Sequence, residues 1–363
     1  MKILYVYSDW KWTGPSQPIV ELCNFMADRA EVSLLTSAAK NPDRGLVQHI
    51  HPHKVQVHQG LSKSGAISSF VINKTLSKQM IQQFKPDIVH VFRERDLAAL
   101  PGNSVYFTKI YTDFKVLQPT FMKKLLWKQA DVVTVFGKKL QKNLSDTFKN
   151  IVYIPPWLDF QKIPIHCQNI RHEFGLTEED FIVGLVMRVQ PHRRFDLVVE
   201  TAKLIKKSGK RIKFLLMGRG AQIQELAVEP TRKNNLTDVI VFGGYKKLDY
   251  WNAVNCFDIL FYTCAGSDGT VRALRQCQAM GKPVICLSTD FTREIVHENR
   301  NGFLVQENPK SIMEKIDTLY TNRDMLPNFS KNSLEQGRHY DLQKVGQGIL
   351  ELYKSQNNII PET

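Results

Sequence analysis

Runs of β-branched and aromatic residues alternate with helical patterns along nearly the whole chain of 363 residues. In the first half these runs are ILYVY, VSLLT, KPDIVHVF, SVYFTKIYTD and ADVVTVF, and in the second half they are FIVGLVMRVQ, KFLLMG, VIVFGG, FDILFY and KPVICL. Strands that are mostly apolar and separated by helices are typical of parallel sheets covered on both faces. The alternation therefore predicts an α/β protein built from doubly wound parallel sheets.

One break in this alternation divides the chain. The sequence IPPWLD at residues 154–159 is a proline turn without periodicity, as expected of a domain boundary. The chain is also too long for one ordinary core. We expect a first Rossmann-like domain at residues 1–156, a second at residues 157–340, and a closing helix within residues 341–363, over about Leu342–Lys354.

The stretch from Thr263 to Ile285 carries the clearest functional pattern. A buried strand is followed by a polar turn containing Asp268 and Gly269, and then by a helix predicted over Val271–Met280 and ended by Gly281. The backbone N–H groups and the dipole at such a helix start bind anions. An acidic side chain in this place suits a hydroxyl-rich group beside the phosphates. The stretch therefore predicts binding of a phosphorylated sugar.

This stretch resembles the nucleotide-sugar signature of family 4 retaining glycosyltransferases of GT-B fold. The signature has an acidic residue, seven others, a Glu, and a small-residue helix end running into Gly-Lys-Pro-Val. Asp268 takes the acidic place, Gln276 takes the Glu place, and residues 281–284 match the end. The resemblance implies that residue 268 binds donor-sugar hydroxyls and residue 276 binds the ribose. A glutamine can accept a ribose hydroxyl bond but lacks the negative charge that strengthens it.

The resemblance extends over essentially the whole chain and implies its architecture. We expect two Rossmann-like doubly wound parallel-sheet domains facing a cleft, with the closing helix packed back toward the first domain. The first domain would bind the acceptor and the second the nucleotide sugar. Asp159 stands where the family's interdomain link has an Asp.

A second cluster, MRVQPHRRFD, places Arg188 at the end of a strand and Arg193 at the start of a helix. These two resemble the family's Arg-then-Lys pair, which neutralises the donor diphosphate, and arginine binds phosphate oxygens in a bidentate manner. Arg194 falls where the family prefers glycine and has no assigned role. Arg272 either adds a further donor to the phosphates or points to solvent.

The remaining candidates for donor binding are small residues near strand ends. Gly269, Thr270 and Val271 open the helix after the acidic turn. Gly218 lies in a strand-to-helix turn beside the nucleotide, and a third glycine at nicotinamide-site spacing is missing. Gly14 lies where the family's glycine-rich loop approaches the donor phosphates.

The family often has a histidine after a strand of its first domain, and the corresponding stretch here, KIYTDFK, has none. Asp113 in this stretch either orients an acceptor hydroxyl or caps a turn. Four other histidines, at positions 49, 51, 53 and 58, could suggest a metal, but Pro52 interrupts them and no acidic or cysteine ligand accompanies them. We expect a surface loop or edge strand there and no metal site.

The six cysteines include no CxxC pair, so reduced structural thiols are expected, as in a cytoplasmic protein. The N-terminus lacks a signal peptide's apolar core, and no apolar run approaches a membrane span.

The net charge is +14, and residues 1–150 hold 21 Lys and Arg against 11 Asp and Glu. The positive electrostatic field of these residues favours a phosphorylated acceptor or an anionic membrane surface. The sequence contains no recognised module for nucleic-acid binding, so no nucleic acid is expected as a partner. Lysines 123, 124, 128, 138, 139 and 142 predict salt-sensitive membrane binding, at the inner face of the plasma membrane. The alternative is a basic surface that only keeps the protein in solution.

Together these patterns indicate a glycosyltransferase that transfers a sugar from a nucleoside-diphosphate sugar to an acceptor hydroxyl with retention. The expected acceptor is a glycan or a lipid-linked molecule of cell-envelope synthesis. The sugar nucleotide is a co-substrate, and no other cofactor is expected. One alternative is a degenerate GT-B protein that binds sugar nucleotides or serves as a scaffold. Another is a hydrolysing sugar-nucleotide epimerase, whose acid and base residues cannot be located in the sequence.

Overall fold

The computed structural model describes residues 1–102, 106–114, 118–245, 249–263 and 271–357. These residues form two compact units. The first unit contains residues 1–159 and 340–357, and the second contains residues 160–263 and 271–339, apart from the gaps just given. The first unit is therefore assembled from two separate parts of the chain.

Each unit is built on one parallel sheet. In the described part of the first unit, the order is β3-β2-β1-β4-β5-β6-β7, and in that of the second it is β10-β9-β8-β11-β12-β13, with every neighbouring pair parallel. The strands are β1 Lys2–Tyr7, β2 Glu31–Ser37, β3 Val55–Leu61, β4 Ile88–Val91, β5 Thr108–Asp113, β6 Val132–Val135, β7 Ile151–Tyr153, β8 Phe181–Arg188, β9 Ile212–Arg219, β10 Ile240–Gly244, β11 Ile259–Tyr262, β12 Val284–Leu287 and β13 Gly302–Val305.

The helices connect these strands and cover both faces of each sheet, which confirms the predicted doubly wound architecture. Their bounds are α1 Gln17–Ala27, α2 Ile67–Phe84, α3 Glu94–Ala99, α4 Phe121–Trp127, α5 Lys138–Leu144, α6 Phe195–Ser208, α7 Glu229–Lys233, α8 Tyr250–Asn255, α9 Arg272–Ala279, α10 Pro309–Thr321, α11 Leu326–Arg338 and α12 Leu342–Asn357. A π-helical turn over Gln224–Val228 leads directly into α7.

Alternate residues of β1 serve two separate cores in the first unit. Ile3 and Tyr5 pack with α1 and α12 on one face of the sheet. Leu4 and Val6 pack on the other face with residues of α2, α3, α4 and α5, among them the fully buried Trp127. This division follows from the two-residue period of a strand, and it places four consecutive helices on one face.

A buried chain of hydrogen bonds joins α12 to the middle of the first sheet. One ring nitrogen of His90, on β4, is hydrogen-bonded to the Tyr353 hydroxyl of α12. The other ring nitrogen is hydrogen-bonded to the Thr112 hydroxyl on β5, at 2.6 Å. The Tyr353 hydroxyl is also 3.2 Å from that of Tyr5. Burial lowers the pKa of His90 to about 3, so the imidazole stays neutral in the folded protein. The chain therefore satisfies polar groups that would otherwise be costly to bury.

Two of the histidines that the sequence offers as possible metal ligands, His49 and His58, lie on different elements of the first unit. His58 lies on β3, the edge strand of the first sheet, and His49 stacks on Trp12 with ring centroids 3.8 Å apart. No group of three metal-binding side chains occurs within the described ranges. The placement agrees with the surface loop and edge strand expected from the sequence.

Five of the six cysteines lie in the described part of the chain, and all five are free thiols. Burial raises the pKa of the Cys277 and Cys286 thiols to about 12, so they behave as small apolar side chains. Cys264 lies outside the described residues. Over the same ranges, we find no helix with the length and apolar character needed to cross a bilayer.

Candidate functional site

The order of strands in the second sheet identifies where a ligand would bind. From β8 the chain moves outward through β9 and β10, and it then returns to place β11, β12 and β13 on the other side of β8. In open α/β sheets, ligands bind beyond the carboxyl ends of the strands at the point where the direction of winding changes. In the second unit this point lies between β8 and β11.

Arg188 and Arg193 both lie at this point. Arg188 is the last residue of β8 and is exposed, and Arg193 follows in the short loop before α6. Arg219, the last residue of β9, pairs with Arg188 in the ladder and so adds a second positive charge beside it. Like charges on neighbouring residues repel each other, and an anion between them removes that cost.

A side-chain hydrogen bond connects this loop to the end of β11. The Thr263 hydroxyl, directly after β11, donates to the carbonyl oxygen of Arg193 at 2.7 Å and is almost fully buried. The loop that carries Arg193 and the end of β11 are thus held together, although 70 residues separate their contact points in sequence. Thr263 is the first residue of the signature stretch, but the bond could not be predicted because nothing in the sequence indicates its partner, the Arg193 carbonyl.

Arg194 has a structural role. It adopts the left-handed conformation at φ 53°, which explains why glycine suits this position. Its guanidinium pairs with Asp196 at 3.0 Å and also with Glu307, and these carboxylates raise its pKa. Its charge is therefore already balanced by these two carboxylates.

Helix α9 begins where the sequence predicts, but with an unusual residue. Val271 precedes its first turn at φ 37° and is buried, and a β-branched residue rarely adopts this left-handed conformation. Arg272 opens the helix and is half-buried, so it does not simply extend into solvent. The predicted donor residues Asp268, Gly269 and Thr270 lie outside the described residues.

Gln276 lies on α9 and accepts a hydrogen bond that the sequence did not indicate. The Tyr250 hydroxyl of α8 donates to the Gln276 side-chain oxygen at 2.9 Å. Burial raises the pKa of Tyr250 well above its ordinary value, so the hydroxyl remains a proton donor. The side chain of Gln276 is thereby held in one orientation, with its amide nitrogen as the remaining donor group.

The cavity beside this loop is a less suitable place for a diphosphate. It has a volume of about 290 Å³, and its wall includes Gln190 and Phe195. Three carboxylates, those of Asp196, Glu200 and Glu225, also line it. Negative charges repel a diphosphate, so the arginine-bearing strand ends are the better candidate for the anion.

The two glycines predicted to contact the donor differ in what surrounds them. A Cβ atom on Gly218 would lie 1.8 Å from the carbonyl oxygen of Met187, because β9 and β8 are closely paired there. Gly14 lies in an exposed turn before α1, where an added Cβ would have no neighbour within 4 Å. Gly218 is therefore required by the fold, whereas packing does not require glycine at position 14.

We expect Gly218→Ala to lower the free energy of unfolding by about 2 kcal/mol or more, since the backbone must move to admit the methyl group. Gly14→Ala, its matched control, should leave that free energy unchanged within about 0.5 kcal/mol. Chemical denaturation of both variants measures the difference. Equal stability of the two would mean that the close approach of β8 and β9 is not needed.

The first unit has a polar cluster at its own change of winding, between β1 and β4. Just beyond β1, the Asp9 carboxylate pairs with Lys63 at 2.6 Å and lies 3.6 Å from Arg93. The Asp96 carboxylate accepts a bond from the Ser8 N–H at 2.9 Å, and burial raises its pKa to about 6. Sequence reasoning missed these residues because they come from three distant segments.

Asp113, proposed from the sequence as an acceptor-binding residue, ends β5 and is buried. It accepts a hydrogen bond from the Tyr111 hydroxyl at 3.3 Å. That contact lies within β5. It is compatible with an Asp113 that orients an acceptor hydroxyl and with one that caps a turn.

The comparisons with known proteins agree with this geometry. Residues 167–336, which include Arg188, Arg193 and Gln276, match the family model described as glycosyl transferases group 1. An uncharacterized glycosyltransferase of Methanocaldococcus jannaschii is 24% identical over 342 residues, which cover 89% of this chain and 90% of that protein. The poly(ribitol-phosphate) alpha-N-acetylglucosaminyltransferase of Staphylococcus aureus is 24% identical over 212 residues, which cover 57% of this chain and 40% of that protein.

A solved structure supports the fold. The crystal structure of Anabaena HepE in complex with UDP-glucose superposes with a TM-score of 0.79 at 16% identity, covering 98% of this chain and all of that one. The similar structures are GT-B glycosyltransferases, and the two Rossmann-like parallel sheets described above are the sheets of that fold. The chain therefore has the GT-B fold, and the region that forms most of its second unit matches the glycosyl transferases group 1 family.

Proposed function

We propose that this protein is a retaining glycosyltransferase, which moves a sugar from a nucleoside-diphosphate sugar to an acceptor hydroxyl. The observation that carries the proposal is the hydrogen bond from Thr263 to the Arg193 carbonyl. It holds the loop that carries Arg193, just after the end of β8 with Arg188, next to β11, the strand that precedes Asp268 in the sequence, at the change of winding of the second sheet. The family match and the likeness to a complex with UDP-glucose support a sugar nucleotide as the donor.

In the proposed reaction, the bond between the anomeric carbon and the diphosphate breaks while the acceptor oxygen bonds to the same face of that carbon. The leaving diphosphate takes the acceptor's proton, so a protein base is not required. Arg188 and Arg193, with the N-terminus of α9, stabilise the negative charge that develops on the diphosphate. Because the guanidinium groups supply this positive charge, the proposed reaction needs no metal ion.

The remaining donor contacts are assigned from the sequence resemblance. Asp268 would bind hydroxyls of the sugar, Gln276 the ribose, and Gly14, Gly218, Gly269, Thr270, Val271 and Arg272 the surroundings of the nucleotide and its phosphates. The structure supports a narrower role for Gly218, which allows β8 and β9 to approach. Its contribution to the donor site is then to shape the strand end that carries Arg219.

We assign the acceptor to the first unit. The cluster of Asp9, Arg93 and Asp96 lies at the change of winding of that sheet. Its partly exposed members, Asp9 and Arg93, offer a carboxylate for hydroxyl groups and positive charge for phosphates. The name of the Staphylococcus aureus relative specifies a poly(ribitol-phosphate) acceptor. A glycan or lipid-linked acceptor of the cell envelope, with phosphate groups, suits the basic first unit.

The direct test is transfer itself. The protein is incubated with a panel of sugar nucleotides and a hydroxyl-bearing acceptor, and the released nucleoside diphosphate is measured with the mass of the product. The anomeric configuration of the product, read by NMR, reports retention. Binding of a sugar nucleotide without transfer to any glycan or lipid-linked acceptor would instead support the degenerate binding protein.

The neutral residue at position 276 gives a further prediction about donor affinity. A carboxylate can accept bonds from the Tyr250 hydroxyl and a ribose hydroxyl together, and its charge strengthens both. Gln276→Glu should therefore tighten the binding of the nucleoside diphosphate by about 1 kcal/mol, measured by calorimetry. The gain should shrink in a Tyr250→Phe background, where the residue is no longer held in place.

The matched variant for that experiment is Asp268→Asn. It should weaken binding of the sugar nucleotide and leave binding of the nucleoside diphosphate almost unchanged, because its contact is with the sugar. If neither wild type nor Gln276→Glu bound any nucleoside diphosphate, the transferase proposal would be wrong.

A further inference from the structure

The N-terminal half of α2 buries polar side chains and exposes apolar ones, which is the reverse of an ordinary surface helix. Ser69 and Asn73 face inward and are buried. Ile67 is 85% exposed and Val71 is 56% exposed. The Asn73 side-chain oxygen accepts from the Ser62 N–H at 2.7 Å, and its amide donates to the Ser62 carbonyl at 3.0 Å. The hydrogen-bonded inward face fixes the helix orientation, so the exposed apolar face is part of the fold.

Helix α4 has a similar apolar face. Phe121 is 73% exposed, and Met122 and Leu125 are exposed beside it. The same helix is anchored by Trp127, which is fully buried in the core of the first unit. Of the ten large apolar side chains that are exposed within the described ranges, seven lie on α2 and α4. Such a concentration marks an interaction surface, whereas scattered exposed side chains would not.

Both apolar faces lie at the same edge of the first unit. Because every strand of the sheet is parallel, the helices that follow them start beyond the carboxyl edge, and the exposed apolar side chains lie in the first half of α2 and along the short α4. Helix α3 joins the two through Glu94, which pairs with Lys123 at 2.6 Å, and through Arg95, which donates to the carbonyls of Lys63 and Ser64 just before α2.

The charged residues on the two helices that carry these faces are all basic. Helices α2, α4 and α5 contain seven lysines and no Asp or Glu. Acidic residues usually occupy the first turn of a helix, where they balance the partial positive charge of its N-terminus. Their absence from three helices that start at one edge leaves a positive field there. The field adds to that of the lysines and favours a negatively charged partner.

We propose that this surface binds the headgroup region of an anionic lipid bilayer. The α2–α4 surface consists of Ile67, Phe70, Val71, Phe121, Met122 and Leu125 with Lys74, Lys78, Lys124 and Lys128. The apolar side chains enter the boundary between headgroups and acyl chains, and the lysine ammonium groups contact lipid phosphates. A soluble polyanion would leave the apolar side chains in water, and a second copy of this basic surface would repel the first. An anionic bilayer matches both components.

The experiment uses the full chain and sedimentation with vesicles of phosphatidylcholine, with and without phosphatidylglycerol, at low and high salt. Binding should require phosphatidylglycerol and weaken at high salt. The double variant Phe121→Ser with Leu125→Ser should lower the partition coefficient between vesicles and water by roughly tenfold or more, because two apolar side chains no longer insert into the bilayer. Lys124→Glu with Lys128→Glu should lower it by a similar factor, because each lysine contributes about a fivefold effect and the reversal adds repulsion.

The matched controls are in the second unit. Ile165 is 94% exposed and Lys207 is exposed, so Ile165→Ser and Lys207→Glu remove equivalent groups elsewhere. Both should bind vesicles as the wild type does, and all variants should keep the wild-type circular dichroism. If a double variant fails to fold, the single variants Ile67→Ser and Lys128→Glu answer the same question.

Three results would overturn the proposal. The first is equal binding to vesicles with and without the anionic lipid. The second is an equal loss of binding in the control variants. The third is a dimer in solution that Phe121→Ser dissociates, which would identify the surface as a contact between copies of the chain.

Discussion

Replacing Arg193 with alanine is expected to lower the rate of sugar transfer by about 10²-fold or more. Removing one preorganised positive group from the place where a leaving group gains charge typically costs a factor of this size. Arg193 is held for that role, because its carbonyl accepts the buried Thr263 hydroxyl and fixes the loop. The effect should appear in kcat as well as in kcat/KM, since the charge on the diphosphate grows in the transition state.

Arg194 provides the matched control one residue away. Its guanidinium is occupied by Asp196 and Glu307, and its backbone at φ 53° suits glycine. Arg194→Gly should therefore keep the transfer rate within a few-fold of wild type. Arg188→Ala should behave like Arg193→Ala, whereas Arg193→Lys should recover part of the rate. Wild-type turnover in both alanine variants would remove these arginines from the diphosphate site.

His90 should make the stability of the first unit depend strongly on pH. The folded protein holds the imidazole neutral down to a pKa of about 3, whereas the unfolded chain takes up a proton near pH 6.5. Unfolding therefore binds a proton between these values. The stabilisation is complete above pH 6.5 and is lost progressively as the pH falls toward 3. The total loss is on the order of 5 kcal/mol, of which about 2 kcal/mol falls between pH 7 and pH 5.

The measurement is chemical denaturation of wild type and His90→Gln at pH 7 and at pH 5. The variant should be less stable at pH 7, because it disturbs the contacts with Tyr353 and Thr112, but it should lose about 2 kcal/mol less on acidification. Asp96, whose pKa of about 6 gives the opposite trend, is present in both proteins and cancels in the comparison. His53→Gln, at an exposed histidine, should retain the wild-type pH dependence. The same pH dependence in His90→Gln would show that His90 is not responsible.

The strands and many of the helices could be predicted because their periodicity is set by burial. The sequence pattern predicts a helix over about Phe195–Ser208, and α6 has these bounds, with Gly209 at φ 66° terminating it. The pattern also predicts a basic helix around Lys74–Phe84, whereas α2 begins earlier, at Ile67, because it buries Ser69 and Asn73 and exposes its apolar side chains. A third helix is predicted over about Ser16–Ala30, and α1 ends three residues sooner, at Ala27.

In the candidate site, the sequence predicts residues that belong to motifs but not the hydrogen bonds that hold those residues in place. Arg188 and Arg193 lie at or just beyond the strand end where a ligand is expected, and the sequence indicates them by their places at a strand end and a helix start and by their resemblance to the family's basic pair. The contacts that hold the site were not predicted, because Thr263 and Tyr250 act through single hydrogen bonds to partners that no motif indicates. Contacts of this kind depend on the three-dimensional path of the chain. A sequence reveals them only when a family shows the same residues repeatedly.

The hydrogen bonds between α12 and the first sheet have a consequence for the order in which the protein matures on the ribosome. His90 lies near the start of the chain, and its partner Tyr353 is synthesised more than two hundred residues later. Until then, the sheet around Tyr5 and His90 lacks the hydroxyl that joins them, and apolar residues that α12 covers remain in water. The second unit lies within one continuous stretch, so it can close first although it is translated second. A chain released after residue 341 should therefore carry a protease-resistant second unit attached to a loosely packed first one.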